Sequence, residues 1–256
     1  MTLAEAAAAL AESAFWHAAA VFLRIGAAMA VLPAFGSQSV PVRVRAVVAM
    51  AFTAIVAPAV PPFAAAPPEL ARLVLLLATE TLAGLALGLA LRLFVLALQT
   101  AGSIAANATS LAQLLGGAQP EPTPAMGQVL VLGGLAIATA AGLHVRLAEY
   151  LIHSYALLPP GRFPDAAVMA EWGTARVAHA FALAFSLAAP FVILSMLYNL
   201  TLGAISKAMP QLMVAFVGAP VITLGGLALL AITAPLMLAT WHEALLAFFA
   251  SPGEAR

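Results

Sequence analysis

Between Leu70 and Leu98 the chain runs almost uninterrupted through Leu, Ala, Val and Gly, with only Arg72, Glu80 and Arg92 carrying charge. A helix needs about 20 apolar residues to cross a bilayer, and a shorter run of this kind belongs in a buried core. Five further apolar runs resemble it: Ala14 to Pro33, Ala46 to Val60, Ala125 to Leu143, Val177 to Leu200 and Gln211 to Leu238. The whole chain of 256 residues is 64% hydrophobic and 8% charged, with a mean hydropathy of +1.07. Soluble domains are roughly a quarter charged. The expectation is an all-α, membrane-associated protein, residues 1–256 forming a single membrane domain of six main segments.

Charge excludes several functions. Ten basic and ten acidic residues cancel, so no basic field attracts nucleic acid. The absence of cysteine removes disulfides, thiolate metal sites and thiol nucleophiles. His17, His144, His153, His179 and His242 lack the H-x-x-x-H and H-E-x-x-H spacings that bring two ring nitrogens to one metal. Nucleotide-binding and hydrolase motifs are missing too; the glycine pairs Gly116/Gly117, Gly133/Gly134 and Gly225/Gly226 stand without the companions such motifs require. No cofactor and no catalysis are expected. Met1 to Glu12 holds Glu5 and Glu12 but no Lys or Arg, so the first apolar segment lacks the basic flank of a signal peptide and is expected to stay.

The connections differ in character. Gly36 to Arg45 is short and basic, and Pro58 to Pro68 holds five prolines, which no helix accommodates. Ser110 to Pro124 is rich in Gly and Pro. His144 to Leu157 is patterned as a short amphipathic helix stopped by Pro159, Pro160 and Gly161. Pro190, Pro220 and Pro235 lie inside apolar runs and are expected to kink or break those helices. Lys and Arg do not decide the orientation: with Arg43 and Arg45 in the cytoplasm, Arg146, Arg162 and Arg176 fall outside.

Three features carry the functional reading. Arg24 lies mid-segment, where a central Arg costs about 2.5–3.5 kcal/mol to insert; it requires a partner in another helix or subunit, or a route to the headgroups. Glu80, Gly84, Gly88 and Arg92 recur every four residues, a stripe that turns only about 40° per step. Its G-x-x-x-G centre permits close helix approach, while Glu80 and Arg92 stand about 18 Å apart along the axis and cannot neutralise each other. A second stripe, Gln99, Ser103, Asn107, Ser110 and Gln113, forms one uncharged polar face. It suits either the lining of a wide conduit or hydrogen bonding between helices.

Several ordered stretches resemble the FliR-type export-gate proteins of flagellar and related type III secretion systems. They are RIGAAMAVLPAFGSQSVPVRVR (Arg24 to Arg45), ETLAGLALG ending at Gly88, QTAGSIAANATS (Gln99 to Ser110), GLHVRLAEYLIHSYALLPPG (Gly142 to Gly161) and AAPFVILSMLYNLTLGAISKAMPQLMVAFVGAP (Ala188 to Pro220). This chain has Lys207 where the family usually has Arg, Met213 where a polar residue is common, and Leu143 between Gly142 and His144. The resemblance implies a non-enzymatic subunit of a helical, multi-subunit channel built of hairpins with kinked helices. It implies partners as well: smaller FliP-type and FliQ-type membrane subunits, a FlhB-type subunit, and unfolded export substrates. The implied location is the bacterial inner membrane within the flagellar basal body. In such proteins a loop after the polar helix plugs the closed pore, and the matching residues are Leu114, Leu115, Gly116, Gly117, Ala118, Gln119 and Pro120 within the loop to Pro124. Arg24, Glu80, Gly84, Gly88, Arg92 and Lys207 are then expected in helix packing or contacts between subunits. A competing reading from the residues alone is a small-molecule secondary transporter with Arg24, Glu80 and Arg92 at one intramembrane site.

Overall fold

The computed structural model describes residues 2–33, 40–63, 69–109, 125–209 and 214–254, without the side chains of 214–219. Among them seven α-helices form and no strand does: α1 (Leu3–Val31), α2 (Val42–Val56), α3 (Leu70–Thr109), α4 (Ala125–Ala140), α5 (Leu143–Leu157), α6 (Ala166–Ala208) and α7 (Val214–Ala250). Five are long and apolar enough to cross a membrane, or six spans if α4 and α5 count together across the break between them.

Local chemistry sets most boundaries. α1 begins well before Ala14 because Thr2 and Glu5 form a capping box, each side chain accepting from the other's backbone N–H, which satisfies donors the first turn leaves open. It ends before Pro33, whose ring disfavours helical backbone at the preceding residue. α2 starts directly after Pro41 and passes into a 3-10 turn at Ala57–Ala59 that holds Pro58. The expected run from Ala125 to Leu143 is interrupted at Gly142, whose φ of 82° belongs to the left-handed region that glycine enters without steric cost. The amphipathic stretch then forms α5 over Leu143–Leu157. α6 is capped by Asp165, whose Oδ1 accepts from the backbone N–H of Ala167 and Val168 at 2.9 and 3.1 Å. Pro190, Pro220 and Pro235 do not end their helices; α6 continues through the first and α7 through the other two.

The chain divides into two compact units. The first comprises residues 1–93, 142–176 and 251–256. In it α1 packs on α2 and buries Val21, Ile25, Ala28 and Met29, spaced by four, three and one as one helical face requires. α1 also meets α3 so closely that a Cβ on Gly88 would stand 2.5 Å from Val31 Cγ2 and 2.6 Å from the Ala28 carbonyl oxygen. A Cβ on Gly84 would collide with the Arg24 carbonyl oxygen and lie 2.9 Å from Ala27 Cβ. Any side chain at these two positions would force the helices apart.

The second unit comprises residues 94–141 and 177–250. Its core holds Leu98, Leu130, Phe191 and Trp241, all fully buried. Trp241 donates its indole N–H to the Phe94 carbonyl oxygen at 2.8 Å, so a buried polar group is paired. Glycines again set the spacing: a Cβ on Gly102 would overlap the backbone of Gly127 in α4, and one on Gly226 in α7 would lie 2.6 Å from Thr109 Cγ2. Outward surfaces stay strongly apolar. Only 17% of the apolar window of α2, and the same share in α7, is buried, against 50% in α3. Ile55, Phe181, Phe185, Leu224, Ile232 and Leu236 are among the exposed side chains.

Candidate functional site

Arg24 is enclosed inside the first unit. Its Nε donates to Glu80 Oε2 at 2.8 Å and its Nη2 to Glu80 Oε1 at 3.1 Å, a forked pairing that matches planar guanidinium to planar carboxylate. Nη1 donates to Ser154 Oγ at 3.1 Å and Nη2 also to the Leu158 carbonyl oxygen at 2.8 Å. The guanidinium carbon sits 3.8 Å from the centre of the Tyr155 ring, a cation-π distance. Side-chain exposure is 1% for Arg24 and 0% for Glu80, so both charges are shielded from bulk solvent.

The stripe on α3 explains why these residues meet. Gly84 and Gly88 face α1, and Glu80 lies one turn before Gly84 on nearly the same azimuth. The glycines draw the two backbones together, and Glu80 is carried to Arg24. Arg92, three steps of about 40° further round, has left that face and is exposed. Arg24 thus has its partner in another helix of the same chain, one of the alternatives its position left open, and Arg24 and Glu80 neutralise each other. The proposed site of Arg24, Glu80 and Arg92 does not assemble, because Arg92 is about 18 Å along the helix from Glu80 and turned away.

Sequence spacing alone did not reveal the other half of the cluster. Ser154, Tyr155 and the Leu158 carbonyl come from α5 and its end, more than a hundred residues from Arg24. The available signal was the amphipathic pattern of α5: Leu147, Tyr150, Leu151, Ser154 and Tyr155 are its buried residues, and the Ser154 hydroxyl lies on that buried face. His17 takes part in the same unit through Nε2, 2.9 Å from the Ala57 carbonyl oxygen, and stacks edge-on against Phe63 at 4.8 Å.

Within the second unit α3 carries the uncharged polar face. Gln99 and Ser103 are half-buried and Asn107 is exposed. Ser110, Gln113 and the loop residues Leu114 to Pro120 lie outside the described residues. α4 approaches this face at its first turn, where a Cβ on Gly127 would stand 3.4 Å from the Gln99 carbonyl oxygen. Thr109 turns inward instead: its hydroxyl donates to the Ala105 carbonyl oxygen at 2.9 Å and its methyl fills the space left by Gly226. Lys207, in the last turn of α6, is exposed. No group of His, Asp and Glu able to hold a metal ion occurs among the described residues.

An all-α chain with five or six membrane-length helices, broad unburied apolar faces and a fully paired internal charge cluster is a polytopic helical membrane protein. Residues 15–248 match the bacterial export proteins, family 1, and the chain belongs to that family. It is 33% identical over 229 residues to the flagellar biosynthetic protein FliR of Caulobacter vibrioides, covering 88% of this chain and 91% of that protein. The proteins of the same name from Escherichia coli and Bacillus subtilis are each 28% identical, over 226 and 214 residues. The match covers 87% of this chain and 84% of the former, and 78% of this chain and 79% of the latter.

Proposed function

We propose that this chain is a non-catalytic wall subunit of the flagellar-type, type III protein export apparatus in the bacterial inner membrane. The observation that carries the reading is similarity to FliR proteins from three organisms along nearly the whole chain. Three features of the chain support it. A conduit needs a rigid wall, and glycine-seated helix contacts together with the Arg24–Glu80 pair make one. Gln99, Ser103 and Asn107 offer hydrogen bonds without fixed charge, which lets an unfolded backbone pass without trapping it. The unburied apolar faces of α2, α6 and α7 are suited to lipid and to the FliP-type, FliQ-type and FlhB-type subunits. Leu114 to Pro124 acts as the plug of the closed gate.

The absence of cysteine makes the test clean. Gln99→Cys, Ser103→Cys and Asn107→Cys are placed singly in the full-length chain within the assembled apparatus. A stalled export substrate is then expected to protect these positions from a membrane-impermeant thiol reagent. Replacing residues 114–124 with a short flexible linker is expected to make the closed apparatus leak small solutes. Labelling that ignores the stalled substrate refutes the lining assignment, and a linker variant that neither leaks nor alters export refutes the plug.

A further inference from the structure

The first unit contains a cavity of about 440 Å³, within the range of about 300–1,000 Å³ typical of small-molecule sites. Its walls are apolar: Leu87, Leu157, Val168, Met169 and the rings of Tyr150 and Trp172. Trp172 is held by its indole N–H, which donates to the Pro252 carbonyl oxygen at 3.0 Å. Charge appears only at the lining contributed by the α5–α6 connection, where Arg162 and Asp165 stand three residues apart. That connection turns at Gly161, with a φ of 69°, and Pro159, Pro160 and Pro164 restrict its backbone. Arg162 is exposed and pairs with no carboxylate among the described residues. Asp165 spends one oxygen, Oδ1, on capping α6 and has Oδ2 to spare.

We propose that this cavity binds one acyl chain of a phospholipid bearing a primary amine, with its phosphate on Arg162 and its ammonium on Asp165. The walls come from α3, α5, α6 and the chain after α7; α3 and α6 are of membrane-spanning length, so the natural apolar occupant is a lipid tail. Trp172, Tyr150 and Arg162 line one cavity, and these residue types are the ones that populate the membrane–water boundary. The two opposite charges select the headgroup. A purely anionic lipid would meet Arg162 favourably and Asp165 unfavourably, whereas a zwitterion with N–H donors satisfies both. The inference concerns a lipid on the first unit and does not depend on the export reading.

The test reads Trp172 emission in the full-length chain, taken as the difference between the native protein and Trp172→Phe. The chain is reconstituted in phosphatidylcholine nanodiscs, whose quaternary ammonium has no N–H to donate. Phosphatidylethanolamine with brominated tails is then titrated in. Quenching is expected to saturate while the brominated lipid is still a minor component. Arg162→Gln, an exposed substitution, is expected to raise the half-saturating fraction about tenfold, the value of one hydrogen bond to a charged group. Brominated phosphatidylglycerol is expected to quench weakly. Asp165→Asn, which keeps a capping side chain, is expected to close the gap between the two headgroups. Quenching that rises in proportion to brominated lipid, whatever its headgroup, would mean ordinary bilayer contact and overturn the proposal. So would saturation that Arg162→Gln leaves unchanged.

Discussion

The Arg24–Glu80 pair makes a quantitative prediction about how the first unit is held together. Both side chains are essentially inaccessible, at 1% and 0% exposure, and Arg24 makes four hydrogen bonds, two of them to Glu80. Glu80→Gln keeps the volume of the side chain and removes its charge. The guanidinium then remains buried with only a hydroxyl, a carbonyl oxygen, an amide and the Tyr155 ring as neighbours. Breaking a buried pair from one side costs about 3–5 kcal/mol, and the surviving neutral partners place Glu80→Gln near the lower value. Arg24→Met strands the carboxylate instead and has fewer neutral partners to fall back on, so it belongs nearer the upper value. The combined change Arg24→Met with Glu80→Leu buries no charge at all. Ser154 then still donates to the Leu151 carbonyl oxygen at 2.7 Å, while its Oγ and the Leu158 carbonyl each lose the donor that Arg24 supplied, a loss of about 1–2 kcal/mol. The double variant is therefore expected to be more stable than either single one. Reversible denaturation of the full-length chain in mixed micelles, followed by circular dichroism, measures all three. Costs that simply add would refute the argument, because they would mean the two residues do not interact.

Other expectations follow from the same packing. Gly88→Ala should destabilise by about 1–3 kcal/mol through overpacking, as the new methyl meets Val31 and the Ala28 carbonyl. Gly203→Ala, with open space around it, should stabilise α6 by up to about 1 kcal/mol through helix propensity; thermal melts in detergent compare the two. Tyr155→Phe should be neutral or stabilising by about 1 kcal/mol, since its hydroxyl is buried without a partner while the ring over Arg24 is retained; a loss above 1 kcal/mol in the same denaturation would show that the hydroxyl matters. Trp241→Phe should cost about 1–3 kcal/mol because the Phe94 carbonyl loses its buried donor, and faster amide exchange near Phe94 would report the loss.

Residue order foretold some of these features and hid others for physical reasons. Long apolar runs imply helices in a membrane whatever the packing, so the all-α class was legible. Helix ends were legible where punctuation is local: Pro159, Pro160 and Gly161 stop α5 near the expected residue. The capping box at Thr2 and Glu5 was also readable, yet hydropathy alone starts the first helix eleven residues later. Gln99 to Thr109 was legible as helix from its polar spacing rather than from hydropathy. Loss of hydropathy there does not break α3; it marks a change of neighbour along a continuous helix. Of the two outcomes expected at Pro190, Pro220 and Pro235, a kink or a break, the break does not occur, since all three sit inside helices that go on. For the charge cluster, the four-residue stripe held half the answer. It placed Glu80 in register with two glycines, but only the helix facing those glycines, 56 residues away from Glu80, reveals the partner as Arg24.

Such separations also matter for biosynthesis. Arg24 leaves the ribosome long before anything able to neutralise it, for Glu80 follows 56 residues later and the Leu158 carbonyl 134 residues later. At about 5–20 residues per second, α1 waits several seconds for its carboxylate and roughly 7–27 seconds for the full set of partners. During that interval a membrane-length helix carries an unpaired cation, and it is held in place only by the insertion machinery or by snorkelling to a headgroup. α1 is thus made well before the residues that settle it. A truncation ending before Leu158 would leave it a poorly anchored intermediate, open to the proteases that clear unfinished membrane proteins.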